Sequence, residues 1–241
     1  MRRRAFLQAA AGLPGLAAQT PPAKPAALKI VCVGGHPDDP ESGCGGTLAR
    51  YAESGHRVTI IYLTRGEAGI RDKSHDEAAA IRTAESEAAC KILGAKAVFA
   101  GQIDGATELN KARVESMAEL LRAEEPDVVF THWPLDTHMD HQIAGLLTYR
   151  AWVSAPRKFQ LYFMEVDLGA QTQNFHPTDY VDITAVREKK KAALFAHRSQ
   201  DGERIYSRHH EIMEDFRGRE AGVPAAEGFV HLARIGRGFL L

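Results

Sequence analysis

The chain has 241 residues, 44% of them hydrophobic and 25% charged, with a formal net charge of −1. That length suits one large domain or, at a stretch, two small ones, and the composition is that of an ordinary soluble globular protein. The near-neutral charge offers no footprint for nucleic acid or an anionic membrane, and no window approaches the roughly 20 apolar residues of a bilayer span.

The first segment, MRRRAFLQAAAGLPGLAAQTPPAKPAA, opens on three arginines. A mildly apolar, alanine-rich run follows, with small residues at Ala17 and Ala18, and then a Pro-rich tether. That is the order of an export signal, and Arg3-Arg4-Ala5-Phe6-Leu7 resembles the twin-arginine type. A disordered basic tail is the plainer alternative. Residues 1–26 are set apart as signal (1–18) and linker, residues 27–241 are read as the domain, and a bacterial periplasmic or extracellular location is expected.

From there apolar runs alternate with helical patterns. ALKIVCVGG (27–35) reads as a buried parallel strand, and GGTLARYAESG (45–55) as a short helix closed by Gly55. RVTIIYLT (57–64) is a second strand, and residues 75–94, Ala/Glu-rich and ending at glycine, a helix. Strands at 95–101, 127–133 and 159–166 alternate with helices at 109–126 and 139–155. YVDIT (180–184), a Lys/Ala-rich helix (185–198), a mobile charged stretch and the apolar GFVHLARI (228–235) complete the chain. The alternation predicts a Rossmann-like α/β fold, a three-layer sandwich with a mostly parallel central sheet. Ligands in such folds bind beyond the carboxyl ends of the strands, so the loops after residues 35, 64, 101, 133 and 166 are the ones to inspect.

Two of those loops are rich in metal-ligating residue types. His36-Pro37-Asp38-Asp39-Pro40 follows the first strand, and Thr131–Gln142, THWPLDTHMDHQ, follows the fourth. Zinc takes imidazole nitrogen and carboxylate oxygen, and a catalytic site leaves a position open beside about three protein ligands. His36 and Asp39 can turn inward from one tight loop, while the second loop offers His132, His138, Asp140 and His141. A helix starting near Thr137 or His138 puts His138 and His141 on one face, and Asp140 can orient a histidine. Taken singly, each loop has a plainer reading: a Pro/Asp turn, and a helix start capped by Asp136 or Thr137. Gly43, Gly45 and Gly46 read as a tight turn into a helix, since no G-x-G-x-x-G pattern follows the first strand. The three cysteines have no CxxC spacing, and packing is expected for Cys32, Cys90 and Cys44.

HPDDPESGCGGTLA and His138-Met139-Asp140-His141 resemble the two signature motifs of the PIG-L/LmbE-like family of zinc-dependent N-acetylglucosaminyl deacetylases. LTRGEAG (63–69), RTAESEAACKILG (82–94) and KKKAALFAHRSQ (189–200) fit the same family, so the resemblance runs from about residue 27 to 200. It implies that His36, Asp39 and His141 ligate Zn2+, with Fe2+ the other candidate metal. It also implies Asp38 as general base, His138 as the residue that stabilises the oxyanion or protonates the amine, and Asp140 behind a histidine. Arg82, Glu67 and His197 match family positions and are candidate substrate contacts. Pro40 departs from the pattern, standing where the family usually has glutamate, with Glu41 after it. The implied activity is removal of acetyl from an N-acetylated amino sugar, small or part of a glycan. Alternatives are a zinc amidase with a non-sugar substrate and a carbohydrate-binding module with a structural metal, though a closed structural site needs neither Asp38 nor His138. His132 and His176 are expected to be structural; His56, His75, His209, His210 and His231 are read as surface or packing residues, and Arg187 to Lys191 as a solvated helix face.

Overall fold

The computed structural model describes residues 26–156, 159–166 and 170–232. The proposed signal, most of its linker and the last residues of the apolar tail lie outside them. Seven strands form one sheet in the order β3-β2-β1-β4-β5-β7-β6. The parallel part comprises β1 (Lys29–Gly34), β2 (Arg57–Tyr62), β3 (Ala95–Phe99), β4 (Val128–His132) and β5 (Gln160–Met164). The last strand, β7 (Ala226–His231), runs antiparallel between β5 and β6 (Asp179–Asp182). This is the expected α/β sandwich with a mostly parallel sheet.

Alternation along β1 feeds two cores. Ile30 and Cys32 pack into a cluster with Leu48, Ile60, Leu93 and Phe229, whereas Val31 and Val33 pack with Ile61, Leu121, Leu147 and Phe163 on the opposite face. Helices α1 (Asp39–Glu53), α2 (His75–Leu93) and α5 (Arg187–Phe195) cover the first face; α3 (Lys111–Glu124) and α4 (Met139–Ser154) cover the second. Helix α2 starts on a Ser74–Glu77 capping box and stops at Gly94, whose φ of 78° is the left-handed closure glycine accepts.

Two expectations are corrected. Helix α1 begins at Asp39, six residues before the expected start at residue 45. Pro40 sits in its first turn, where a missing N–H costs nothing. Gly43, Gly45 and Gly46 therefore lie inside the helix, and close packing explains them: a Cβ on Gly43 would stand 2.6 Å from the Glu165 carbonyl oxygen, and one on Gly46 2.6 Å from Ile183 Cγ2. The second correction concerns the stretch expected to be mobile. It folds as a short helix α6 (Gly202–Ile205), a π-helical turn (Tyr206–His210) and α7 (Glu211–Ala221). Its charges are used internally: Lys190 of α5 is buried between Glu214 of α7 and Glu227 of β7, at 2.9 and 2.8 Å. Arg187 and Lys190 thus point inward, and this run is not a uniformly solvated face.

A candidate metal centre at the switch point of the sheet

Strand order reverses between β1 and β4, which pair directly, so the loops after both strands open onto one crevice. His36, Asp38 and Asp39 come from the first loop and the start of α1. His132 ends β4, and His138 is the N-cap of α4, its Nδ1 accepting the Asp140 N–H at 3.3 Å. His141 lies one turn into that helix, facing back.

Three donor atoms converge there. His36 Nδ1 is 3.1 Å from Asp39 Oδ2, His141 Nε2 is 3.2 Å from His36 Nδ1, and His141 Nε2 is 3.2 Å from Asp39 Oδ2. A tetrahedral ion with bonds of about 2.0–2.1 Å holds its ligand atoms about 3.3–3.4 Å apart, so this triangle has the size of one tetrahedral face. His138 adds a ring nitrogen within 4.8 Å of those of His36 and His141. The far nitrogens of both candidate ligand imidazoles meet carboxylates: His36 Nε2 is 3.0 Å from Asp140 Oδ2, and His141 Nδ1 is 3.1 Å from Asp136 Oδ2. Such carboxylates hold an imidazole in the tautomer that aims its lone pair at a metal. The residues present therefore fit a bound cation.

His132 packs flat on His141, ring centroids 4.0 Å apart, and its Nε2 lies 3.3 Å from Asp39 Oδ2. That same nitrogen accepts the Gly35 N–H at 3.0 Å, which occupies its lone pair and leaves His132 a packing and backbone-anchoring role. Burial, aided by the His141 charge, lowers its pKa to about 4, so it is neutral.

The electrostatics follow from the same convergence. Burial lowers the His36 pKa, but Asp104, Asp140 and Asp39 overcome it and hold the imidazole well above its usual range. Burial likewise opposes protonation of His141, yet Asp39 and Asp136 raise it to about 9. Burial pushes the Asp39 carboxyl up, and the His141 charge beside it pulls it well below the usual carboxylate range. Protons on these imidazoles do what a cation would do in their place, and a bound cation would displace them.

Asp38 turns away from the triangle. Its φ of 101° is left-handed, a conformation costing a non-glycine residue about 1–3 kcal/mol and typical of functional sites. Its carboxylate pairs with Arg82 Nη2 at 3.0 Å, and burial raises its pKa against the pull of Arg82. Asp38 lines a cleft of about 300 Å³ with His36, Arg82, Asp104, His138 and Gln200. A cavity of about 320 Å³ near Lys29 and Phe159 opens at the opposite, N-terminal end of the strands and holds none of these residues.

The family model described as "PIG-L: GlcNAc-PI de-N-acetylase" matches residues 31–152, from β1 through most of α4. Over 198 residues the chain is 33% identical to diacetylchitobiose deacetylase of Thermococcus kodakarensis, covering 74% of this chain and 72% of that protein. The chain belongs to the PIG-L family. Its fold is also that of the solved N,N'-diacetylchitobiose deacetylase from Pyrococcus horikoshii, with a TM-score of 0.78 at 27% identity over 86% of this chain and 84% of that one. A 4-oxalmesaconate hydratase of Pseudomonas putida is 27% identical over 169 residues, 62% of this chain and 65% of that protein.

Within this PIG-L site the three expected substrate contacts separate. Arg82 reaches the cleft wall, its guanidinium bound to the Pro37 carbonyl and Asp38 and wedged against Gly66 and Gly69. Glu67 is buried, its Oε2 accepting the N–H groups of Arg65 and Asp104 at 3.2 and 3.1 Å, so it ties the loops after β2 and β3 together. His197 has 0% exposure, and its Nε2 lies 3.2 Å from Glu41 Oε1 beneath α1. It has no surface from which to touch substrate, which corrects that expectation. Glu41 also accepts the Tyr62 hydroxyl at 2.5 Å, so the carboxylate tying this end of α1 to its neighbours comes from the position after Pro40, whose ring instead fills the space beside Gly34.

Asp104 and Asp136 carry weight that the sequence reading did not assign them. Asp104 Oδ1 lies 3.3 Å from His36 Nε2 and its side chain borders the cleft. In sequence it sits in GQIDGAT, a Gly-flanked turn, and its only signal is that this loop follows a strand of the sheet edge where ligands bind. Asp136 reads as a helix cap, which its bond from the His138 N–H at 2.7 Å resembles.

Proposed function

We propose that this chain is a metal-dependent hydrolase that removes the acetyl group from an N-acetylated amino sugar. The observation that carries the reading is the triangle of His36, Asp39 and His141 with a separate carboxylate, Asp38, held beside it and out of it. The names of the relatives support the substrate class. The preferred metal is Zn2+, held by those three residues, with Fe2+ the other candidate; when bound it polarises an acetamide carbonyl and acidifies water.

The chain's own residues supply the rest. Asp38 takes a proton from the attacking water, and its raised pKa suits it to pass that proton to the departing amine. His138 is kept neutral by burial and by the neighbouring His141 and His36. Because its Nδ1 accepts the Asp140 N–H, its proton sits on Nε2, available as a donor to the developing oxyanion. Asp140 orients His36. Arg82, Asp104 and Gln200 give the cleft a guanidinium, a carboxylate and an amide, a set suited to sugar hydroxyls. A non-catalytic module would have no use for the strained Asp38. If residues 1–18 act as the export signal their order suggests, the substrate is met outside the cytoplasm.

Acetate release from a panel of N-acetylated amino sugars, including N-acetylglucosamine, diacetylchitobiose and an inositol-linked N-acetylglucosamine, tests the reading. The expected result is release from at least one, abolished by a chelator without unfolding and restored by Zn2+ or Fe2+. No release from any member by the metal-loaded protein would overturn the sugar reading, and release indifferent to chelation would overturn the metal reading. Turnover confined to non-sugar amides would leave the same site as an amidase.

A further inference from the structure

We propose that Asp136, braced by Gln171, is a positioning residue that fixes which nitrogen of His141 faces the metal. The proposal rests on His141 being a ligand. Asp136 is 1% exposed and lies two residues before the N-cap of α4. Its Oδ1 accepts the His138 N–H at 2.7 Å, and its Oδ2 stands 3.1 Å from His141 Nδ1. An ionised carboxylate can only accept, so Nδ1 must carry the ring proton. Nε2 is then the nitrogen whose proton a cation would displace, and it is aimed where His36 Nδ1 and Asp39 Oδ2 also point, each 3.2 Å away.

Gln171 arrives from a different part of the chain. Its Nε2 lies 3.3 and 3.5 Å from the two oxygens of Asp136 and 3.2 Å from His141 Nδ1. The amide nitrogen faces the carboxylate and donates to it, since the amide oxygen would meet it lone pair to lone pair; its approach to the His141 Nδ1–H is a packing contact between two donors and not a hydrogen bond. Gln171 is held in place by backbone pairing: the Thr137 N–H donates to the Gln171 carbonyl at 2.9 Å, the Gln173 N–H donates to the Leu135 carbonyl at 3.0 Å, and Asp136 and Thr172 form an antiparallel bridge. The loop after β4 is thus zipped to residues 171–173, and the Asp136 carboxylate accepts from three directions. This fixes its carboxylate against rotation, and with it the imidazole.

Asp136→Asn separates this role from a turn-forming one. The amide oxygen can still accept the His138 N–H, so the start of α4 is preserved. The amide NH2 then faces His141 Nδ1, which must become an acceptor; the ring proton moves to Nε2 and occupies the metal direction. Zinc affinity should fall about 10–100-fold, the usual cost of losing an outer partner of a metal-bound histidine. Gln171→Met, which removes only the brace, should cost less than the aspartate change.

The test is Zn2+ affinity of the full chain, by competition with a chromophoric chelator, for wild type, His141→Ala, Asp136→Asn and Gln171→Met. Thermal unfolding of each metal-free form serves as the fold control. A loss of the expected size in Asp136→Asn with an unchanged melting temperature supports the proposal; wild-type affinity in that variant overturns it. Equal affinity in wild type and His141→Ala would instead overturn the ligand assignment on which it rests. Should Asp136→Asn fail to fold, 15N–1H correlation of the histidine rings in zinc-loaded wild type decides. A proton on His141 Nδ1 with Nε2 shifted by metal supports the proposal, and a proton retained on Nε2 refutes it.

Discussion

Replacing Lys190 with methionine should destabilise the protein by about 3–5 kcal/mol, because it removes the positive centre of a buried charge cluster. Lys190 Nζ lies 2.9 Å from Glu214 Oε1 and 2.8 Å from Glu227 Oε1, and all three side chains are at most 3% exposed. Glu214 still has a cation beside it, Arg187, at 2.9 Å. Among the described residues Glu227 keeps only neutral donors, the N–H groups of Gly46 and Thr47 at 2.9 and 2.7 Å. Methionine retains the stem volume, so little of the loss comes from packing, and the cost is that of a carboxylate left buried without its counter-charge. For a domain of this size each kcal/mol shifts the melting temperature by about 2–4 °C, so a drop of about 6–20 °C is expected. Urea melts should show a lower midpoint at unchanged slope. Adding Glu227→Gln to Lys190→Met should recover part of the loss, since the stranded charge is then gone. A single-variant loss below about 1 kcal/mol would refute the reasoning and mean that water reaches the cluster. The amides gripped by Glu227 belong to α1, the helix that starts at Asp39, so the cluster is also the far anchor of the candidate metal centre.

Asp38→Asn should keep bound metal, since its carboxylate contacts Arg82 and not the ligand triangle, and should slow acetate release by about 10²–10⁴-fold. Metal content and turnover measured on the same sample check it, and full activity would exclude Asp38 as the base. His36→Ala and His141→Ala should each lose metal at micromolar protein under dialysis, read by elemental analysis, because each deletes one corner of the triangle. His210 gives a pH signature. Burial, with the Lys190 charge second, lowers its pKa to about 3, below the unfolded value of about 6.5. The folded state then binds fewer protons than the unfolded state, so stability is untouched above pH 6.5 and is lost as pH falls toward 3, about 2 kcal/mol by pH 5. Between pH 7 and 5 wild type should lose about that much more than His210→Leu in urea melts, and parallel losses would count against the argument.

Chemical type was legible in the sequence; orientation was not. The strand alternation gives the parallel sheet, and a parallel sheet puts the loops after β1 and β4 together, which is enough to bring His36, Asp39, His138 and His141 into one crevice. What could not be read is which carboxylate serves which imidazole. Asp140 is two residues from His138 and next to His141, yet it bonds His36, 104 positions earlier, and it is locked there by the Gly105 N–H and the Thr107 hydroxyl from the loop after β3. Asp136 serves His141 only because α4 begins at His138 and sends residue 141 back over the loop. The start of α1 was misplaced for a related reason. Glycines inside a helix argue against it by propensity, and only the approach of the Glu165 backbone and Ile183 explains why no Cβ fits.

The adjacency of Asp38 and Asp39 poses the hardest geometric demand on this fold, and the backbone meets it at one residue. Asp39 is the first residue of α1, and its Oδ2 is fixed by the His36 N–H at 2.7 Å on the sheet side. Were Asp38 also helical, its side chain would lie about 100° around the same axis and crowd the same crevice. The left-handed φ of Asp38 breaks that relation and sends its carboxylate to Arg82 and the cleft. Two identical side chains in sequence thereby acquire different surroundings: imidazoles for one, a guanidinium and a largely buried cleft wall for the other. Their pKa values accordingly move in opposite directions, Asp39 down and Asp38 up. One carboxylate stays ionised for a cation while the other can take and return a proton, and this division needs no further residue than the strained one between the strand and the helix.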